Sequence, residues 1–468
     1  MSFSASSERA VLVIGAGFSG SMAATHLLRR GAGGPLRVVL VNRSGAMARG
    51  IAYGTRSERH VLNVPAGNMS AFPDDPEHFL RYARERDPSV TGGSFVTRRL
   101  YGEYLMDVLA DAERSAAPGA RLERIVGEAT GFELAPDGES ARVTLADGRT
   151  IAADRVILAL GNYAPADPPV ADRSFYESVR YVRDPWAPGA LDAIAPSDRV
   201  LLIGTGLTML DVALDLRTSG ARAPMVAISR RGLTPQPHRS PSVAPTYEHR
   251  PPGMETGERT ARAYLRAVRA HVRTVAERGM DWREVVGALR PITSTLWQGL
   301  SVAERARFLR HVRPYWEVHR HRAAPEPAAA LRRMMDAGEL TVVAGRLLGF
   351  RDVGDGVEVF LRRRGASAAE AMRVERVINC TGPESDTRTL RDPLIASLRA
   401  AGLLRPDPLG LGLETSESLA LLACDGLPSR VLHHVGPFLR ATYWESTAVP
   451  ELRLHAARVA AAVAESLG

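Results

Sequence analysis

Apolar positions come in short, continuous runs punctuated by glycine. The run Val11 to Ile14 leads into Gly15-Ala16-Gly17-Phe18-Ser19-Gly20, then into a helix-like stretch from Ser21 to Arg30 and a second run from Arg37 to Val41. Short apolar runs bounded by turn residues read as buried strands, and spacing of three to four as a helix packed on one face. Strand, glycine turn, helix and strand in that order predict a βαβ unit. The order returns in Arg199 to Ile203, then Gly204-Thr205-Gly206-Leu207-Thr208-Met209-Leu210-Asp211, a helix, and the strand Met225 to Ser229.

Each unit is followed by a similar train of strands. In the first half these are Leu122 to Leu134, Ala141 to Leu145 and a buried run from Asp154 to Gly161, with turns at Pro136-Asp137-Gly138 and Asp147-Gly148. In the second they are Leu340 to Phe350, Val357 to Leu361 and Glu375 to Gly382. Two stretches change texture. Residues 74–115 predict a short helical insertion, and residues of about 254–335 a longer one. In the longer insertion Tyr264, Leu265, Val268, Val272 and Val275 share one helix face, and Phe308, Leu309, Val312 and Trp316 another. A Pro-rich, His-bearing loop, Thr234 to Pro252, precedes it. The expected fold is α/β, with two Rossmann-like dinucleotide-binding domains, three-stranded β-meanders and a helical insertion.

Composition adds exclusions. The 468 residues are 45% hydrophobic and 24% charged, which fits a folded chain of several domains. All 60 basic residues are arginine. Without lysine there is no Schiff-base or pyridoxal-phosphate chemistry and no Gly-Lys-Ser/Thr phosphate loop. The net charge of +8 in a chain rich in Arg, Ala and Gly is what a GC-rich genome gives, and we prefer that to a nucleic-acid reading. Cys380 and Cys424 are the only cysteines, so neither a disulfide framework nor a Cys-x-x-Cys relay is expected, and no metal cluster. The polar start, Met1 to Arg9, and the absence of a long apolar run lead us to expect a soluble cytoplasmic protein without membrane contact.

The glycines have separate tasks. Gly15 and Gly204 would make tight turns, Gly17 and Gly206 would let backbone approach a diphosphate, and Gly20 would permit close packing of helix on strand. Met209 stands where the second motif's third glycine would be, which predicts looser packing there. Asn42, with Arg43 beside it, occupies the place of the usual ribose-binding acid, so the first nucleotide loses charge assistance. Arg230 and Arg231 follow the strand Met225 to Ser229, where arginine favours a 2′-phosphate and hence NADPH; solvated surface is the plainer reading.

The two glycine motifs together with Gly161 and Gly382 resemble flavoproteins that carry one domain for FAD and one for NAD(P)H. Gly50-Ile51-Ala52-Tyr53-Gly54-Thr55, His60-Val61-Leu62-Asn63-Val64-Pro65-Ala66, Ser229-Arg230-Arg231-Gly232 and Trp444 to Glu451 are similar to a bacterial family of FAD/NAD(P)-binding proteins related to N-hydroxylating monooxygenases. The resemblance spans essentially the whole chain. It implies FAD on the first motif (Gly15, Gly17, Phe18, Ser19, Gly20) and NADPH on the second (Gly204, Gly206, Thr208, Asp211). It implies an FAD domain split into residues 1–163 and 383–468 around an NADPH domain, 164–382. Asn63 and Val64 would pass near the flavin ring and Gly436-Pro437 near the ribityl phosphate. Thr447 and Ala448 would open a helix whose positive end faces the flavin. The Phe-x-Gly-x-x-x-His-x-x-x-Trp signature of flavin-containing and Baeyer-Villiger monooxygenases is absent.

That resemblance implies an NADPH-consuming oxidoreductase in which oxygen accepts the electrons and a small metabolite is oxygenated, N-hydroxylation being favoured. A flavin reductase, dehydrogenase or oxidase without oxygen insertion is one alternative, and a non-catalytic redox-sensing or nucleic-acid-binding protein another. No catalytic residue stands out. Arg320 and Arg322 in Tyr315-Trp316-Glu317-Val318-His319-Arg320-His321-Arg322 are candidate anchors for an anionic substrate, although a basic outer helix face explains them equally. His60 and His238 are further candidates for the cleft.

Overall fold

The computed structural model describes residues 8–55, 57–240 and 247–468. The polar start before Glu8 and the centre of the Thr234 to Pro252 loop lie outside the described residues. Along the chain run β1 (Arg9–Ile14), β2 (Leu36–Asn42), β3 (Ala120–Val126), β4 (Ala129–Leu134), β5 (Ala141–Leu145), β6 (Thr150–Ala153), β7 (Arg155–Leu158) and β8 (Tyr181–Val182). There follow β9 (Val200–Ile203), β10 (Met225–Ser229), β11 (Leu340–Asp352), β12 (Val357–Arg363), β13 (Glu370–Val374), β14 (Arg376–Asn379), β15 (Ala420–Leu422) and β16 (Pro428–His434).

These strands form two large sheets. The first has the order β15-β16-β7-β1-β2-β3 and the second β13-β12-β11-β10-β9-β14-β8. The central strands of both pair in parallel. Parallel sheets are covered on both faces, which is why β1, β7 and β9 read as unbroken apolar runs. Val11, Leu12, Val13, Val200, Leu201 and Leu202 are fully buried. On the first sheet, helix Phe18–Arg30 packs against the last helix, Val449–Glu465, and against Arg98–Arg114. In both motifs the turn after the first strand places the helix start at the carboxyl edge of the sheet, where open α/β sheets bind ligands.

Three details differ from the periodicity. The run Leu122 to Leu134 is two strands, because the chain turns at Gly127 and Glu128 to leave the parallel sheet for a separate meander, β4-β5-β6. In the second half the corresponding run does not break. β11 pairs in parallel with β10 through Leu340 to Ala344, then antiparallel with β12, with a register shift between Leu347 and Gly349. The second meander is thus an extension of the main sheet. Its edge strand β13 carries mostly exposed residues, and an edge strand with little buried surface leaves little apolar signal.

The longer insertion comprises helices Ala261–Ala276, Trp282–Ala288, Thr293–Gly299, Val302–His311 and Arg313–Arg320. The stripe from Phe308 to Trp316 spans two of them, because Pro314 removes a backbone N–H and the helix restarts after Val312. Helix Pro325–Asp336 packs instead on helix Leu207–Thr218 and on β11, so it serves as the crossover that feeds the parallel strand. Met209 is fully buried with Val200, Leu202 and Cys380, so the expected loose packing is not observed. The first motif tolerates no such side chain, since a Cβ on Gly20 would lie 1.8 Å from the Gly15 carbonyl oxygen.

Five histidines, three buried and two half-buried, are held neutral by burial. His26, His433, His434 and His455 are each pushed down to about 4, as is His238, where burial is aided by Arg322. An unfolded imidazole titrates near 6.5, so below that pH the unfolded chain binds more protons than the folded one. We expect stability to be level above pH 7 and to fall between pH 6.5 and 4, by on the order of 1–2 kcal/mol per imidazole at pH 5. A urea midpoint unchanged from pH 7 to pH 5 would contradict this assignment.

Candidate active site

Both glycine turns are tight because a side chain at either would collide with the neighbouring strand. Gly15 has φ of +103° and its Cβ would sit 2.2 Å from the Ala159 carbonyl oxygen; Gly204 has φ of +110° and would meet the Cys380 oxygen at 2.4 Å. Each glycine therefore lets β1 or β9 turn against the neighbouring strand and points a helix start outward. The N-caps that follow, Gly17 and Gly206, offer no side-chain hydrogen bond, and neither does Ala448 at the start of helix Val449–Glu465. Elsewhere Thr97, Thr260, Ser301 and Asp392 cap their helices. These three helices, like His78–Arg86 and Pro325–Asp336 away from the glycine turns, keep first-turn N–H groups without a side-chain cap, an arrangement that suits anionic groups.

A cavity of about 570 Å³ lies between the halves. Asn63, Val64 and Pro65 form one wall, Thr447 to Val449 another, and Leu207 opens the second motif's helix onto it. The insertion contributes Arg283, Glu284, Arg320, His321 and Arg322. The short helix Gly50–Tyr53 connects this cavity to the first motif. A Cβ on Gly50 would lie 3.1 Å from Gly17 Cα, while Ala52 and Tyr53 line the cavity. Gly436, with φ of +127°, faces Ser19, whose hydroxyl would be 3.7 Å from its Cβ. The first motif therefore lies against Gly436 at Ser19 and, through helix Gly50–Tyr53, borders the cavity that the Asn63 segment lines.

Residues 12–163 match the FAD-NAD(P)-binding family model. Among solved structures the fold is similar to the reduced form of ornithine hydroxylase from Pseudomonas aeruginosa, at TM-score 0.66 and 16% identity over 98% of this chain and 100% of that one. It is also similar to L-lysine 6-monooxygenase from Pseudomonas syringae, at TM-score 0.65 and 16% identity over 97% and 99% of the chains. A third is ornithine N-hydroxylase from Kutzneria sp. 744, solved with reduced FAD, NADP+ and L-ornithine, at TM-score 0.62 and 15% identity over 97% and 98%. No curated protein matches the sequence. The matched segment opens its first helix on an uncapped glycine turn, and the second glycine turn repeats the same cradle; both fit a dinucleotide diphosphate.

The cofactor-end residues are placed as follows. Asn42 is locked rather than open: its Oδ1 accepts from the Ala16 N–H at 3.3 Å and its Nδ2 donates to the Ser44 carbonyl at 2.8 Å. Arg43 is engaged with Glu128 at 3.2 Å and with the buried Asp392 at 2.5 Å, so its charge is already answered. Tyr163, its hydroxyl pushed up by burial and by Asp392, stacks on Phe438 beside them. Arg231 stacks on Tyr315 and donates to its hydroxyl at 3.2 Å, whereas Arg230 is exposed at the end of β10. Gly161 and Gly382 both take left-handed φ with open space on the Cβ side.

The candidate anchors separate. His60 does not line the cavity. Its Nε2 meets Asp215 at 2.7 Å and its Nδ1 meets the Thr55 hydroxyl at 2.7 Å, so it ties the first half to helix Leu207–Thr218. His238 does line it, yet as a neutral imidazole whose Nε2–H donates to the Asn63 carbonyl at 3.0 Å. It cannot serve as a cationic anchor at neutral pH. Arg320 is ion-paired at 3.0 Å with Glu445, which also accepts from Trp316 Nε1. Arg322 has no hydrogen-bond or ion-pair partner among the described residues, and burial beside Arg320 and Arg283 pushes its guanidinium down to about 10.

Several residues that build the site had no signal among 60 arginines. Arg98 lines the cavity and pairs with Asp211 across the halves at 2.7 Å, so Asp211 is a structural anchor for Arg98. Arg290 grips Glu451 through two bonds of 2.6 Å, fixing the insertion to the first turn of the last helix. Burial alone would raise the Glu317 carboxyl, but Arg440, His321 and Arg313 around it hold it at about 2. For Arg98 and Asp211, largely buried, we expect Arg98→Ala to destabilise by about 2–4 kcal/mol, with the Arg98→Ala/Asp211→Ala double variant recovering part of that loss. Additive losses in a denaturant-midpoint cycle would show that the pair contributes no coupling.

Proposed function

We propose that the chain is an FAD- and NADPH-dependent monooxygenase that hydroxylates the nitrogen of a small amine or amino acid, and that Arg322 holds an anionic group of that substrate. The observation that carries this reading is the one cavity onto which the two halves open helix N-termini without side-chain caps, from Leu207 on one side and Val449 on the other. FAD bound in the cleft would supply the acceptor for the NADPH hydride and the means to activate oxygen.

The chain's own residues supply the rest. The N-terminus of helix Val449–Glu465 places a positive dipole end where negative charge on a reduced ring is stabilised. Neutral His238 holds Asn63 through its carbonyl and so fixes the segment that borders the ring. Arg322 is the cavity cation without a direct ion-pair partner among the described residues: Asp281, the nearby acid, is paired with Arg283, and Arg98, Arg239, Arg290 and Arg320 each face a carboxylate of their own. The neighbouring guanidiniums disfavour a protonated amine, and only the neutral amine is nucleophilic. The fold is shared with an ornithine hydroxylase and an L-lysine 6-monooxygenase, which supports an amine substrate.

Reconstituted with FAD, the protein is expected to oxidise NADPH under air and to form a hydroxylamine from an amine that carries a carboxylate. Arg322→Ala is expected to raise KM for that substrate by about 10- to 100-fold with kcat little changed. Peroxide released in amounts equal to the NADPH consumed, with no hydroxylamine from any amine of a carboxylate-bearing panel, would instead identify an oxidase.

A further inference from the structure

Helix Ala261–Ala276 carries a charge pattern unlike that of the other arginine-bearing helices. On several other helices arginines meet acids one turn away, as in Arg99 with Glu103, Arg313 with Glu317 and Arg332 with Asp336, and where a helix without acids carries arginine, as Phe18–Arg30 and Pro393–Ala400 do, it carries no row of four. The sequence of this helix, ARAYLRAVRAHVRTVA, contains no acid. Arg262, Arg266, Arg269 and Arg273 are all exposed, and none has an ion pair or hydrogen bond among the described residues. Spaced four, three and four residues apart, they form one straight row on the solvent face, about 16 Å long at the rise of an α-helix. Like charges at this spacing oppose helix formation. Genome composition accounts for many arginines but not for the missing acids, because the same chain pairs its arginines on neighbouring helices.

The opposite face is committed to the insertion, packing on Trp282–Ala288 and Val302–His311. Helix Trp282–Ala288 supplies Arg283, Glu284 and Gly287 to the cavity wall, so the row stands one helix away from the site. We propose that this row is a docking surface for a protein partner that presents an acidic helix. A row at four, three and four spacing is matched in length and repeat by carboxylates on another straight helix. Leu265, partly exposed beside the row, offers apolar contact to such a partner. The phosphates of a duplex wind away from a straight row, and the helix's main apolar face, which a membrane would take up, is packed on Trp282–Ala288 and Val302–His311.

The test uses the full-length, FAD-loaded protein and a fluorescent helical peptide with glutamates at matching four, three and four spacing. Its control has the same composition with the glutamates scattered around the helix. Anisotropy at about 0.1 M salt, where screening is already substantial, is expected to show the matched peptide binding at least 10-fold tighter. Arg266→Glu/Arg269→Glu should remove that binding, and a peptide with lysines in the glutamate positions should bind this variant. Arg266→Gln/Arg269→Gln serves as the milder variant, and Arg222→Glu/Arg346→Glu, exposed elsewhere, should leave binding unchanged. Equal binding of both peptides would overturn the proposal. Tighter binding of a duplex oligonucleotide or of phosphatidylserine vesicles, lost in the same variant, would overturn it in favour of those partners. Activity is not read, so failure here is separable from failure of the monooxygenase assignment.

Discussion

The two sheets come together through arginine–carboxylate pairs that are shielded from water. Arg98 with Asp211, Arg290 with Glu451, Arg320 with Glu445 and Arg440 with Glu317 each join an element of the first sheet's half to an element of the second or of its insertion. His60 with Asp215 adds a fifth contact. Such pairs contribute less to net stability than their Coulomb attraction suggests, because both ions are desolvated, yet breaking one leaves a stranded charge. They therefore act as alignment constraints. The cavity exists because they hold two uncapped helix ends and the Asn63 segment around one space.

This has a chemical corollary in a chain without lysine. Guanidinium forks bind carboxylates in fixed orientation and keep their charge when buried, so an arginine network can set geometry where an ammonium would be free to rotate. The cost is a strongly cationic wall. Nearly every arginine on it is answered by a carboxylate, and Arg322, which has no ion-pair partner among the described residues, is the anchor we propose for an anionic group. The same accounting makes the bare arginine row on the insertion conspicuous.

Much of the scaffold was legible from periodicity. Both glycine turns, the parallel strands that flank them and the repeat of the two halves are local features: a tight turn needs glycine, and a strand buried on both faces needs an unbroken apolar run. Boundaries were lost where local pattern and partner choice diverge. Leu122 to Leu134 carries one continuous signal but serves two sheets, and β13 pairs at an edge where little apolar surface is buried. The site was legible in part. Asn63, Val64, Thr447, Ala448, His238, Arg320 and Arg322 line the cavity together. His60, Arg43 and Asp211 turned out to be engaged by other side chains.

By itself the sequence determined the dinucleotide cradles, the class of fold and the absence of lysine and thiol-relay chemistry, because each depends on residues close together in the chain or on composition. Tertiary structure alone decided which arginines are spent and which is free. Arg98 and Arg290 carry no signal in the sequence, and Arg320 and Arg322, two residues apart, are indistinguishable there. Their roles follow from carboxylates 113, 161 and 125 residues away for the first three and from the lack of one for the fourth, and a pairing over such separations is set only when the sheets are docked.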